Sequence, residues 1–144
     1  MSNASVTWQH GLSFTGTADS GFTLNLGGSA AAGGDEDGFR PMELILVGLA
    51  GCTGMDVISI LQKKRQNVTN FQVKVSAEKA KSYPTVFTHI QVRYLVSGHD
   101  LDPQALERAI ELSKDKYCSV SAMLAKTALI EHTYEILTAV PEYA

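Results

Sequence analysis

Two cysteines carry the strongest chemical possibilities in this 144-residue chain. Cys52 stands within Gly51-Cys52-Thr53-Gly54, where small neighbours leave its sulfur room. Cys118 stands within Lys116-Tyr117-Cys118-Ser119-Val120-Ser121, at the expected entry to a helix. The thiolate rather than the thiol is the nucleophile, and a helix N-terminus lowers a cysteine's pKa. That makes Cys118 a candidate for activation by position. Against it stands the general behaviour of free cysteine, which is among the most buried residue types; composition alone weights both toward inert core positions. Other chemistries lack their patterns. His10, His89, His99 and His132 are scattered, with no H-E-x-x-H, C-x-x-C or H-x-H spacing for a metal, and no G-x-S-x-G nucleophile elbow occurs. Gly27 to Arg40 holds five glycines, but its Asp35-Glu36-Asp37 run would repel a phosphate, and a mobile surface loop is expected there.

The bounds set by composition agree with a thiol protein. A hydrophobic share of 44% with 19% charged residues fits one folded domain, 1–144, with a real core. A net charge of -3 without any basic block gives no nucleic-acid footprint. The N-terminus shows no basic start followed by an apolar run, and the uncharged apolar stretch Leu44 to Met55 is too short to span a bilayer. The expectation is a cytoplasmic chain without membrane partners, in a reducing compartment where thiols stay free unless catalytic.

The elements that must position the cysteines follow from hydrophobic period and turn chemistry. Three short strands are expected at 6–9, 12–15 and 22–26. A long helix is expected from Pro41 to about Lys64, with Pro41 in its first turn and Lys63, Lys64 and Arg65 complementing the dipole at its end. It is apolar nearly all round, so it should be buried inside something, and Gly48, Gly51 and Gly54 should admit a close neighbour. Alternation predicts strands around 71–77 and 90–96. Asp102-Pro103 starts a helix whose inner face is Leu106, Ala109, Ile110 and Tyr117; a short helix near 119–126 and a strand at 128–136 close the chain. The order of elements is α+β.

Several segments together resemble the OsmC/Ohr family. Arg40-Pro41-Met42-Glu43-Leu44 leading into Gly48-Leu49-Ala50-Gly51-Cys52 resembles the helix before that family's first cysteine. Lys116-Tyr117-Cys118-Ser119-Val120 resembles the segment around its second, with an OsmC-like branch most similar. The resemblance implies an OsmC/Ohr-like fold built as an intertwined homodimer, with no cofactor. It implies thiol-dependent reduction of organic hydroperoxides in oxidative-stress defence. Cys52 would be oxidised to a sulfenic acid, Cys118 would condense with it to a Cys52–Cys118 disulfide, and an external dithiol would reduce that bond. It also implies an arginine and a glutamate at the thiolate, for which Arg40 and Glu43 are the candidates.

Geometry sets a condition on Glu43. Nine helical residues separate it from Cys52, about 13 Å of rise at 1.5 Å per residue, and about 100° per residue puts the two on opposite faces. Glu43 can serve Cys52 only across a dimer of antiparallel central helices. Two other readings use the same features: a dimeric module holding a hydrophobic small molecule, and a thiol redox sensor with little turnover. In the peroxidase branches the acid stands one place earlier, where this chain has Met42, which favours the binding module.

Overall fold

The computed structural model of the chain describes residues 1–137. The described residues form two compact units, the first Met1–Ile45 and the second beginning at Leu46. The fold is mixed α+β, with two sheets and a long helix.

The first unit is a three-stranded antiparallel meander: β1 (Ala4–His10), β2 (Ser13–Ala18) and β3 (Thr23–Leu26). The β2–β3 turn closes with the Gly21 N–H donating to the Ala18 carbonyl at 2.9 Å, at a φ of +86° that suits glycine. The glycine-rich segment after β3 is not the loose loop expected from its composition. A turn of 3-10 helix at Ala30–Ala32 is capped by Ser29. The Ser13 hydroxyl donates to the Asp37 carboxylate, and the Phe39 N–H donates to the Asn25 carbonyl at 2.9 Å. Glycine is needed because backbone packs on backbone: a Cβ at Gly34 would lie 2.2 Å from the Gly28 carbonyl oxygen.

The helix α1 runs from Pro41 to Lys63 and carries Cys52. It buries Leu49, Thr53, Val57 and Leu61, one residue per turn, so a single stripe faces inward. The expectation of a helix buried all round is therefore corrected for the single chain. Val47 and Met55 remain exposed, and a Cβ at Gly48 or Gly51 would meet open space. Gly54 is different, since a Cβ there would sit 3.4 Å from the Val73 side chain. By length and composition α1 is apolar enough to cross a membrane, contrary to the estimate from Leu44 to Met55 alone. Its inward stripe, however, carries a hydrogen-bonded Thr53 at the centre of the second unit.

In that second unit β4 (Asn67–Lys79) pairs antiparallel with β5 (Phe87–His99), and β6 (Leu129–Leu137) pairs parallel with β5 on its other side. A parallel return needs a long crossover. Here α2 (Pro103–Leu112), a π-helical turn (Ser113–Tyr117) and α3 (Ser119–Leu124) provide it. The central strand buries Ile90, Val92, Tyr94 and Val96, the alternation read from the sequence. Asp102 caps α2 through the Gln104 N–H at 3.0 Å, with Pro103 in the first turn, as expected. Tyr117 departs from expectation. The π turn adds to the helical count, leaving Tyr117 half exposed and burying Ser113 completely.

Candidate thiol site

The site is assembled around α1. Cys52 and Asp56 are four residues apart and so share a face, while Thr53, between them, points into the core. The Thr53 hydroxyl lies 2.7 Å from the Tyr94 hydroxyl of β5 and 2.8 Å from the Ser113 hydroxyl of the π turn. Ser113 in turn donates to the Asp56 carboxylate at 2.9 Å, and Tyr94 reaches Nδ1 of His132 on β6 at 3.0 Å. Asp56, Ser113, Thr53, Tyr94 and His132 thus form one chain of hydrogen bonds across four elements. His132 Nε2, at its far end, is buried without a partner among the described residues.

Cys118 follows the π turn and caps α3. Its N–H donates to the Ser113 carbonyl at 2.8 Å, and its sulfur accepts the Ser121 N–H at 3.4 Å. The fold brings Cys118 to Cys52: both are free, and the two sulfurs and an Asp56 carboxylate oxygen all lie within 4.8 Å of one another. Cys118 is 3% exposed, while Cys52 is only half-buried.

The electrostatics reverse one sequence expectation. Burial pushes the Cys118 thiol up to about 11; the Ser121 N–H at the helix end pulls it down, but less, and neighbouring Cys52 and Asp56 push it further up. Desolvation outweighs the helix terminus, so Cys118 is a protonated thiol at neutral pH rather than an activated one. Burial likewise pushes Tyr94 up to about 12, against the lowering influence of Thr53. His132 is lowered by burial and by Lys114, which keeps its imidazole neutral.

Arg40 and Glu43 belong to the first unit, whereas the two cysteines belong to the second. The Arg40 guanidinium donates to the Gly38 carbonyl at 2.8 Å and to Glu36 at 3.2 Å. Glu43 accepts the Arg40 backbone N–H at 3.3 Å, capping the start of α1. Among the described residues, two donor sets come within reach of a metal ion that no spacing rule announced: Cys52, Asp56 and Cys118, and the exposed His10, Asp35 and Asp37. In the former, Asp56 and Cys118 already accept hydrogen bonds from Ser113 and Ser121.

Asp56, Thr53, Ser113, Tyr94 and His132 were not singled out from the sequence. Asp56 carried a usable signal, one turn after Cys52 on the same face. His132 stood on the inward register of an alternating strand, between Ile130 and Tyr134. Ser113 carried none, because its position depends on the π turn.

A half-exposed cysteine on a long helix, facing a buried one that caps a short helix between parallel strands, defines a two-cysteine α+β protein. The chain belongs to the OsmC-like protein family, which it matches over residues 33–133. It is 43% identical over 136 residues to protein YhfA of Escherichia coli strain K12, covering 94% of this chain and 98% of that one. The crystal structure of a hypothetical protein from Aquifex aeolicus superposes with a TM-score of 0.85 at 28% identity, covering 97% of this chain and 98% of that one. The organic hydroperoxide resistance protein OhrB of Bacillus subtilis shares the fold, with a TM-score of 0.62 at 20% identity, covering 94% of this chain and 98% of that one.

Two predictions follow from the site's hydrogen bonds and burial. Thr53→Val keeps the shape but removes the shared hydroxyl, weakening the satisfaction of buried Tyr94 and Ser113. The expected loss is about 1–3 kcal/mol of unfolding free energy, and Thr53→Ser should recover most of it. Urea denaturation of the three proteins measures this, and a Thr53→Val midpoint equal to wild type would refute it.

Cys118 and Tyr94 hold their protons to higher pH when folded than when unfolded. Their contribution is complete below pH 9.0 and 10.0, their ordinary values, and is lost as pH rises toward about 11 and about 12. Unfolding free energy should therefore decline through that window, and the decline should be shallower in Cys118→Ser. Identical slopes for the two proteins would show that Cys118 does not titrate as described.

Proposed function

We propose that the chain reduces organic hydroperoxides with thiol electrons, as one OsmC-like domain acting in oxidative-stress defence in the cytoplasm. The observation that carries this reading is the pairing of the two sulfurs, one half-open and one buried, within 4.8 Å. Cys52 attacks as a thiolate: its sulfur bonds to the terminal peroxide oxygen, the O–O bond breaks, and the alcohol leaves after taking a proton. The resulting sulfenic acid is attacked by Cys118, water departs, and a Cys52–Cys118 disulfide remains. An external dithiol returns both thiols by exchange. Disulfide geometry requires the sulfurs, now within 4.8 Å, to close to about 2.05 Å with Cα atoms within about 7 Å.

The catalytic set proposed is Cys52 and Cys118, with Arg40 and Glu43 acting from a second copy. The half-exposed apolar face of α1, with open space at Gly48 and Gly51, supports a homodimer in which two such helices pack closely. A second reading, a dimeric module for a hydrophobic small molecule, is favoured by an apolar cavity of about 460 Å³ in the first unit. Val6, Phe22, Leu24, Leu26 and Leu44 line it. A third, a thiol redox sensor, differs only in turnover.

Turnover of cumene hydroperoxide with a dithiol reductant separates these readings. Wild type should cycle. Cys52→Ser should lose peroxide consumption entirely, because a neutral hydroxyl is no comparable nucleophile. Cys118→Ser should react once and then over-oxidise. Intact-mass measurement after one equivalent of peroxide should show loss of two hydrogens in wild type and gain of oxygen in Cys118→Ser. Single variants that both behave as wild type would eliminate the peroxidase reading.

The dimer has its own test. Sedimentation at micromolar concentration should give a dimer, and Gly51→Leu, whose Cβ meets nothing within 4 Å in the single chain, should weaken it. A monomeric wild type would rule out the second-copy roles of Arg40 and Glu43.

A further inference from the structure

The proposed cycle has an unsolved second step, and the inference here rests on that cycle. Cys118 must attack as a nucleophile, yet its sulfur is buried and accepts a single backbone N–H among the described residues. The departing oxygen of the Cys52 sulfenic acid must also receive a proton, or it would leave as hydroxide from a half-buried site. Both needs meet at one side chain. Asp56 stands one turn after Cys52 on α1, with a carboxylate oxygen within 4.8 Å of both sulfurs. Ser113 holds that carboxylate through a 2.9 Å hydrogen bond and is itself fixed by Thr53. A carboxylate accepts at about four lone-pair positions, so the bond from Ser113 orients Asp56 without using it up.

We propose that Asp56 is the proton carrier of the resolving step, taking the Cys118 thiol proton during attack and returning it to the oxygen that leaves Cys52. In that step the Cys118 S–H bond breaks and its proton moves to an Asp56 oxygen. The Cys118 sulfur forms the S–S bond to Cys52, and the Cys52 S–O bond breaks with its electron pair going to oxygen. That oxygen takes the proton from Asp56 and departs as water. The carboxylate ends unchanged, one thiol is oxidised, the sulfenic sulfur is reduced, and nothing from outside is consumed.

The surrounding groups leave Asp56 in this role. Tyr94 on β5 is pushed up to about 12 and stays protonated. His132 on β6, which Lys114 and Asp115 also influence, is lowered and lies beyond Tyr94 in the hydrogen-bond chain. Cys52 on α1 is the oxidised partner. Cys118 itself, pushed up to about 11, requires a base at neutral pH.

The test is a rapid-quench single turnover with cumene hydroperoxide, reading sulfenic acid and disulfide by intact mass. Asp56→Asn preserves shape and an acceptor for Ser113. Its first phase, gain of oxygen, should stay within about threefold of wild type, and its second, loss of water to the disulfide, should slow by about a hundredfold or more. Raising the pH toward 11 should close that gap, as Cys118 ionises unaided. Wild type supplies an independent measurement: with a carboxylate base its second phase should level off between pH 6 and 9 rather than climb about tenfold per unit. Asp56→Asn resolving at the wild-type rate, a slowdown equal at every pH, or a wild-type rate climbing throughout that range each overturns the role of Asp56. A wild type with no oxidation phase at all overturns the peroxidase reading, and the proton carrier with it.

Discussion

The hydroxyl of Thr53 is the constraint on which the second unit's chemistry depends. It is 1% exposed and binds Tyr94 and Ser113 at once, joining the long helix to the central strand and to the turn that carries Cys118. A buried hydroxyl without partners costs free energy, and one with two partners from distant elements fixes their relative position. Cys52 precedes Thr53 and Asp56 follows it by three residues, so locking the rotation of α1 at Thr53 sets the direction of both. Ser113, the other end of the bond, also accepts the Cys118 N–H at its carbonyl. One interaction therefore positions the two sulfurs and the carboxylate from both sides.

Burial and backbone electrostatics compete at Cys118, and the outcome gives the two cysteines different characters. A helix N-terminus alone would favour a thiolate, but a six-residue helix behind a buried sulfur contributes one N–H at 3.4 Å. Removing the sulfur from water costs the charged form more than that contact returns. The result is a thiol held in reserve beside a more accessible one, an asymmetry suited to sequential rather than simultaneous reaction. A sulfenic acid formed on the accessible sulfur would meet a neighbour that cannot itself have consumed the peroxide first.

Much of the fold was legible because its signals are local. Pro41 and the basic residues after it bracket α1, Asp102-Pro103 begins α2, and the alternation of Ile90, Val92, Tyr94 and Val96 marks the central strand. The two cysteines stood out through the resemblance of the motifs around them rather than through local signals, and the fold brings their sulfurs within 4.8 Å. The burial of α1 was misjudged because its apolar surface exceeds what one chain covers; a single stripe at every fourth residue faces inward. The glycine-rich segment was misjudged because backbone-to-backbone packing at Gly28 and Gly34 leaves no hydrophobic trace. Tyr117 was placed inward by counting at the α-helical period, which fails through Ser113–Tyr117 where the turn widens. Asp56 and Ser113 escaped because their meeting depends on a separation of 57 residues that only the closed fold supplies.

The polar chain does not end at the cysteines. From Thr53 it continues through Tyr94 to His132, whose ring lies 5.9 Å from that of Tyr94 and nearly parallel to it. Phe71 stacks at a similar separation on Tyr94, so the phenol is held by aromatic packing as well as by its hydroxyl. A neutral His132 fits this setting: Ser113 donates its one O–H to Asp56, so Thr53 donates to Ser113, Tyr94 to Thr53, and Nδ1–H of His132 to Tyr94, which leaves Nε2 as the unprotonated nitrogen with no partner among the described residues. The chain thus has a carboxylate at the thiol end and a neutral imidazole at the other. With Tyr94 pushed up to about 12, the hydroxyls between them orient the carboxylate without competing with it for the thiol proton. The same buried network that fixes the fold therefore holds the Asp56 carboxylate beside the two sulfurs.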